Sequence, residues 1–300
     1  MGYLFLSAAL LCGAVKGFCG KKTSGCLKTF RDSVYICLVR MMLCALIGAV
    51  ITWVGGGMAS FAVSGRVLCI AALAGVSSAV FILTWILSVR TGAYMMVDVF
   101  LTAGVIIPVL FCHIFYDEAF GIKHVLGFFL LLLAVVVMCG YNKTIKAPLT
   151  LVNLLLLTVC GLSNGFTDLL QKVFAHSNEQ SRAGNAAYNF YTYCFAFDVF
   201  AIVFAVLYLR GHACKKKEPL VPLGSVLPYL FLMALCLFLN SYFKTFAASV
   251  LPSTVLYPIS QVVGMMLSVI MSALFFEEKI TFRCVFGSSM AVAALLIINL

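Results

Sequence analysis

Charge is what this sequence has least of. Asp, Glu, Lys and Arg make up 10% of it, where an ordinary soluble domain carries roughly 25%. Apolar residues make up 64%. A soluble protein so composed would have no surface to offer water, so the chain is expected to be dissolved in lipid. No stretch is long and polar enough for a separate soluble domain. Period-two alternation is missing as well, which argues against a membrane barrel. The helix is left as the spanning form, because lipid offers backbone groups no partner.

Other absences bear on chemistry. Among 13 Cys there is no C-x-x-C pair, and most Cys fall inside apolar runs, where they act as small packing residues. Cys12, Cys19 and Cys26 share a spacing of seven, which lines one helix face. His113, His124, His176 and His212 are scattered. No Ser-His-acid set, metal-spaced cluster or Gly-rich phosphate loop occurs, so an enzyme, a metal and a cofactor are not expected. The net charge of +10 comes with no basic helix and no aromatic–basic interleaving, which excludes nucleic acid as partner. Residues 1–15 lack a basic leader and a small-residue cleavage site and are expected to be a retained first span.

What is present is a set of ten apolar runs, at about 2–20, 34–53, 67–89, 93–116, 124–140, 149–170, 186–209, 226–248, 254–276 and 282–300. Each approaches the ~20 residues that span a bilayer. The short links between them hold the turn formers and most of the charge, as in K-K-T-S-G and H-A-C-K-K-K-E-P.

The runs are duplicated. F-Y-D-E-A-F-G-I-K-H-V-L-G at 115–127 is echoed by F-F-E-E-K-I-T-F-R-C-V-F-G at 275–287, and C-G-A-V-K-G-F at 12–18 by C-G-L-S-N-G-F at 160–166. Residues 73–139 map onto 233–299 at a shift of 160, so that Gly104 falls on Gly264, Glu118 on Glu278 and Gly127 on Gly287; the openings match at a shift of 148. The expected fold class is therefore an all-α polytopic membrane protein of ten transmembrane helices. It is divided into two five-helix repeats, 1–147 and 148–300. Five is odd, so the second repeat enters from the opposite side and the pair is inverted. Sites in such architectures lie near the midplane, between the repeats.

A charge at mid-bilayer costs roughly 2.5–3.5 kcal/mol on insertion scales. Lys16, Arg40, Asp98, Asp168, Asp198 and Lys244 nonetheless fall inside the runs, three basic and three acidic, which points to pairing within the bundle. Lys16 and Lys244 lie near span ends and either snorkel to the interface or line a pathway. Asp98 and Arg40 are either structural pair members or solute contacts. Asn164 and Asp168 share a face of span 6. Tyr257 and Gln261 sit one turn apart beside Pro258, which removes a backbone donor and opens the helix locally. Pro108 is a candidate kink in span 4. The candidate pathway residues are thus Lys16, Arg40, Asp98, Asn164, Asp168, Tyr257, Gln261 and Lys244. The aromatic run Y-N-F-Y-T-Y-C-F at 188–195 is an interfacial belt or a ligand cluster. Glu118 and Glu278, at the ends of spans 4 and 9, are expected to cap the helices that follow them.

In D-E-A-F-G-I-K-H-V-L-G and E-E-K-I-T-F-R-C-V-F-G, and in its five-plus-five spans, the chain resembles the drug/metabolite transporter superfamily, in particular its EamA-type branch. The resemblance covers essentially the whole chain. It implies a multi-pass carrier of the plasma membrane or bacterial inner membrane that handles small metabolites by alternating access. The expected activity is export of small polar metabolites through a cavity between spans 1–4 and 6–9, with spans 5 and 10 as outer supports. The expected partners are a small-molecule substrate and the lipid bilayer, with a homodimer allowed. A non-transporting scaffold and a nucleotide-sugar or sugar-phosphate carrier using Lys244 and Arg40 stand as alternatives. Span 1 carries Lys16 rather than the Glu of the small multidrug branch, which disfavours cationic-drug antiport. The resemblance implies cytoplasmic termini. Loop charge argues the reverse, because Lys21, Lys22, Lys28, Arg31 and Lys215–Lys217 all lie on the side opposite the termini.

Overall fold

The computed structural model describes residues 1–90, 94–139, 150–177, 181–213, 221–275 and 282–299. Among these, all extended regular structure is helical. Seven helical stretches are long and apolar enough to cross a membrane, and 100–116, 122–134 and 285–298 form shorter apolar helices. The surface is apolar as well, with Leu46, Val54, Phe129 and Ile202 among the exposed side chains. Such a surface suits lipid and not water, and the chain is a membrane-embedded, multi-pass helical protein.

The helices are α1 (Gly2–Ser24), α2 (Phe30–Gly56), α3 (Gly65–Arg90), α4 (Tyr94–Gly104), α5 (Ile106–Tyr116), α6 (Ile122–Cys139), α7 (Leu151–Ala175), α8 (Arg182–Ala213), α9 (Leu223–Val250), α10 (Ser253–Phe275) and α11 (Phe282–Asn299). Their starts follow local chemistry. At α2, Thr29 Oγ1 accepts from the Asp32 backbone N–H at 3.1 Å and Asp32 Oδ2 accepts from the Thr29 N–H at 3.0 Å, a reciprocal capping box. At α7, Thr150 Oγ1 accepts from the Asn153 N–H at 3.3 Å.

The run at 93–116 is broken into α4 and α5 at Val105, whose N–H bonds Thr102 O at 3.2 Å instead of continuing the ladder. Pro108 is the physical reason, because it has no N–H to offer the carbonyl four residues earlier, at Gly104. Pro258, by contrast, is carried inside the continuous helix α10.

Packing crosses between the early and late helices. α1 packs on α9 and α10, α2 on α8 and α9, α3 on α7 and α8, α4 on α7 and α10, and α6 on α11. The α4–α7 crossing is backbone on backbone. A Cβ added at Gly104 would overlap Gly161 O, one at Gly161 would overlap Phe100 O, and one at Gly165 would overlap Gly104 O. Gly161 and Gly165 stand four apart on one face of α7, and only residues without side chains permit this approach.

Candidate functional site

Seven helices, α1, α3, α4, α7, α8, α9 and α10, surround a cavity of about 160 Å³ in the middle of the bundle. All but α4, which gives only Leu101, present one face at helical spacing. From α7 these are Asn164, Thr167, Asp168 and Gln171; from α9, Leu237, Asn240, Ser241 and Lys244; from α10, Ser260, Gln261, Gly264, Met265 and Ser268. On α1 the wall is mostly small, with Ala9, Gly13, Ala14 and Gly17 beside Lys16. α2, α5, α6 and α11 contribute none of the lining.

An ion pair crosses the cavity wall. Lys244 Nζ lies 2.6 Å from Asp168 Oδ1, and their side chains are 12% and 6% exposed. The Lys244 ammonium also stands 5.2 Å from the centre of the Tyr257 ring, within cation–π range. Tyr257 is fully buried behind the wall, and its hydroxyl donates to Asp168 O at 2.8 Å. Pairing keeps both charges compatible with mid-membrane burial. Lys244 thus turns inward to Asp168 and does not reach for the interface.

A polar network extends from this pair. Gln171 Nε2 donates to Thr245 Oγ1 at 2.8 Å and to Ser241 O at 3.0 Å. Ser241 Oγ donates to Asn189 Oδ1 at 2.6 Å, and Asn189 Nδ2 donates to Asn185 O at 2.8 Å. Asn240 Nδ2 donates to Ala9 O at 2.6 Å and ties α9 to α1. Two buried atoms remain without a hydrogen-bond partner on the cavity face of α7, the acceptor Asp168 Oδ2 and the donor Asn164 Nδ2. Unpaired buried polar atoms are costly. Both atoms are sealed from the cavity, although their side chains line it.

Of the candidates named from sequence, Lys16, Asn164, Asp168, Gln261 and Lys244 line the cavity, and Tyr257 supports Asp168 from behind. Arg40 is not among the lining residues; it is buried in α2 at 3% exposure. A phosphate site shared by Arg40 and Lys244 therefore has no counterpart in the cavity. The side chain of Asp98 and all of Glu278 lie outside the described residues. The aromatic run at 188–195 divides by helical phase. Tyr188, Asn189, Thr192 and Tyr193 face the cavity, whereas Tyr191 OH donates to Phe61 O at 2.8 Å and Phe190 packs edge-on to Phe61. Ser241, Asn189 and Thr245 carry the network, although single hydroxyls and amides give little signal in an apolar run. Their spacing was the available clue, since Ser241 and Thr245 stand one turn apart in phase with Lys244.

Glu118 acts across the molecule. Asp117 adopts a left-handed conformation at φ 51° and turns the chain at the end of α5. Glu118 Oε2 then accepts from the Ser253 backbone N–H at 2.6 Å and from the Ser253 hydroxyl, and Oε1 pairs with Lys172 Nζ at 3.1 Å. It thus caps α10, not the α6 that follows it. Lys172 Nζ also donates to Ala248 O at 3.0 Å and Leu251 O at 2.8 Å, the free carbonyls at the end of α9. Burial works to raise the Glu118 carboxyl, but the Ser253 hydrogen bonds and the Lys172 charge outweigh it and hold the group below its ordinary value. A single acid therefore joins the α5–α6 link, α7, the end of α9 and the start of α10.

No family model matches the chain, and no curated protein does. Solved structures do: 28 chains match it. One, described only as "Crystal structure of protein", superposes with a TM-score of 0.69 over 99% of this chain and 95% of its own, at 12% identity. At that identity the likeness is one of fold.

Proposed function

We propose that the chain is a secondary transporter of small polar metabolites, built as two inverted repeats of five spans and working by alternating access. The shorter apolar helices, with α4 and α5 together forming one span, complete the ten. Exchanging α1, α2, α3, α4/α5 and α6 with α7, α8, α9, α10 and α11 supports the repeat. Under it the α3–α7 contact becomes α9–α1, α4–α7 becomes α10–α1, and α3–α8 becomes α9–α2, while α2–α8, α4–α10 and α6–α11 map onto themselves; every one of these contacts occurs.

The observation that carries the reading is a break in that symmetry. Gly104 and its partners Gly161 and Gly165 close backbone on backbone. Their repeat equivalents are Gly264, Gly13 and Gly17, and all three line the cavity. A Cβ at Gly264 meets nothing within 4 Å, and one at Gly13 meets only the Asn240 side chain at 3.2 Å. One pair of repeat-related crossings is shut and the other stands open around a polar cavity. In the opposite state the α1–α10 crossing would close on its glycines while the α4–α7 crossing parts.

Two cations, Lys16 and Lys244, face the single described acid Asp168 on the wall. This balance favours neutral, zwitterionic or anionic solutes over cations and keeps a phosphorylated solute as a second reading. A scaffold would instead have a dry, packed centre. The resemblance supports a plasma or bacterial inner membrane location, and export is the direction proposed. Proteoliposomes loaded with labelled amino acids, sugars and sugar phosphates test the function. A gradient-driven flux that Asp168→Asn abolishes supports the reading. Folded protein that leaves every gradient undisturbed refutes it. Loss of sugar-phosphate flux on Lys244→Ala selects the second reading.

A further inference from the structure

Arg40 lies ten residues into α2, about 15 Å along its axis at ~1.5 Å per residue, and so well inside the helix. It is 3% exposed, and its Nε and Nη1 have no hydrogen-bond partner. Among the described residues, the ionisable groups that act on it are Cys44 and Cys37 on its own helix, Tyr193 on α8 and Cys19 on α1, with no carboxylate among them. A guanidinium does not shed its proton to escape burial. A lone cation in this setting is far more costly than a paired one.

Two of these neighbours carry hydrogen-bond donors. Cys44 Sγ donates to Ala234 O at 3.4 Å, an ordinary length for sulfur, and Tyr193 OH donates to Leu237 O at 3.4 Å, long for a hydroxyl. Tyr193 also forms part of the cavity wall, so Arg40 stands one side chain behind the solute space. We propose that Arg40 holds a small monovalent anion, a halide or a lone carboxylate group, with the Tyr193 hydroxyl and the Cys44 thiol as the neighbouring donors. The two sources share one chemistry. A halide comes from bulk solution, and a carboxylate comes with a solute that passes Tyr193.

The test is anion-dependent thermal stability of the purified full chain. Sodium chloride and sodium acetate are each titrated into a bulky gluconate background of constant ionic strength. A ligand that binds only the folded state raises Tm saturably, by several degrees at about 100 mM if the site is half-filled near 1 mM. Arg40→Met is expected to lose this response. In gluconate alone it is expected to be no less stable than the unmodified chain, because the substitution removes the uncompensated charge. A response to chloride assigns the inorganic ion, and a response to acetate alone assigns a solute carboxylate. No saturable rise, or an undiminished rise in Arg40→Met, overturns the proposal. If Arg40→Met does not fold, Arg40→Lys must weaken the midpoint about tenfold, because the ammonium cannot reproduce the guanidinium's donors; an unshifted midpoint overturns it. Binding is read here without transport, so failure of this site leaves the transport reading standing, and the reverse also holds.

Discussion

Under the proposed repeat Gly104 and Gly264 are equivalent, and the same substitution at each should have opposite effects. A Cβ at Gly104 overlaps Gly161 O, and a neighbouring backbone cannot swing aside. Overpacking of this kind costs about 1–3 kcal/mol. Exchanging Gly for Ala inside a helix returns about 0.8–1.0 kcal/mol. Gly104→Ala should therefore lower stability by up to about 2 kcal/mol. A Cβ at Gly264 meets open space, so Gly264→Ala keeps only the propensity gain. The propensity gain is common to both, so the two variants should differ by the overpacking penalty alone, about 1–3 kcal/mol, which at about 2–4 °C per kcal/mol separates their Tm values by about 2–12 °C. Flux should run the other way. Under the proposed alternating access the Gly264 crossing closes in the opposite state, and a penalty there of about 1–3 kcal/mol would deplete that state roughly 5–150-fold. Gly264→Ala is thus expected to be at least as stable as the unmodified chain and to lose most of its flux. Thermal unfolding in lipid nanodiscs and solute flux in proteoliposomes measure the two halves of the claim. Equal destabilisation by both variants would refute the packing argument. Full flux in Gly264→Ala would refute the alternating closure.

Three further outcomes follow from the site. The Glu118 carboxyl titrates below its ordinary value, so its contribution is full above about pH 4.3 and is lost as pH falls through the lowered folded value. Glu118→Gln should remove that acid limb and cost about 2–3 kcal/mol, since Lys172, 4% exposed, loses its counter-charge; an unchanged pH profile would count against the α10 cap. Lys244→Met strands Asp168 in the bundle and should cost about 3–5 kcal/mol, and adding Asp168→Asn should recover part of it in a double-mutant cycle; strict additivity would mean that the pair is not coupled. Tyr257→Phe deletes the donor to Asp168 O and should lower stability by about 1 kcal/mol, read by thermal unfolding, where no change would mean that the bond carries no weight.

The sequence was most informative where a residue was expensive. A Lys or Asp inside an apolar run has few tolerable positions, so Lys16, Asp168 and Lys244 could be named as candidates without coordinates. They do line the cavity, with Asn164 and Gln261. Arg40 satisfied the same argument and went elsewhere, because burial cost says that a charge needs a partner and not which one. Glu118 was legible as a helix cap but not as the cap of α10, since the left-handed turn at Asp117 redirects it to a helix more than 130 residues later. Ser241, Asn189 and Thr245 are individually too ordinary to stand out.

Composition alone determined that this chain lives in lipid as helices, because 64% apolar residues leave neither a watery surface nor an alternative way to satisfy the backbone. The duplicated motifs align Gly104 with Gly264 and Glu118 with Glu278 in sequence. Which member of each pair closes and which stays open was decided only by tertiary structure. Gly104 and Gly264 are the same letter in the same local context, and only the distance of the neighbouring helix tells a sealed crossing from an open one.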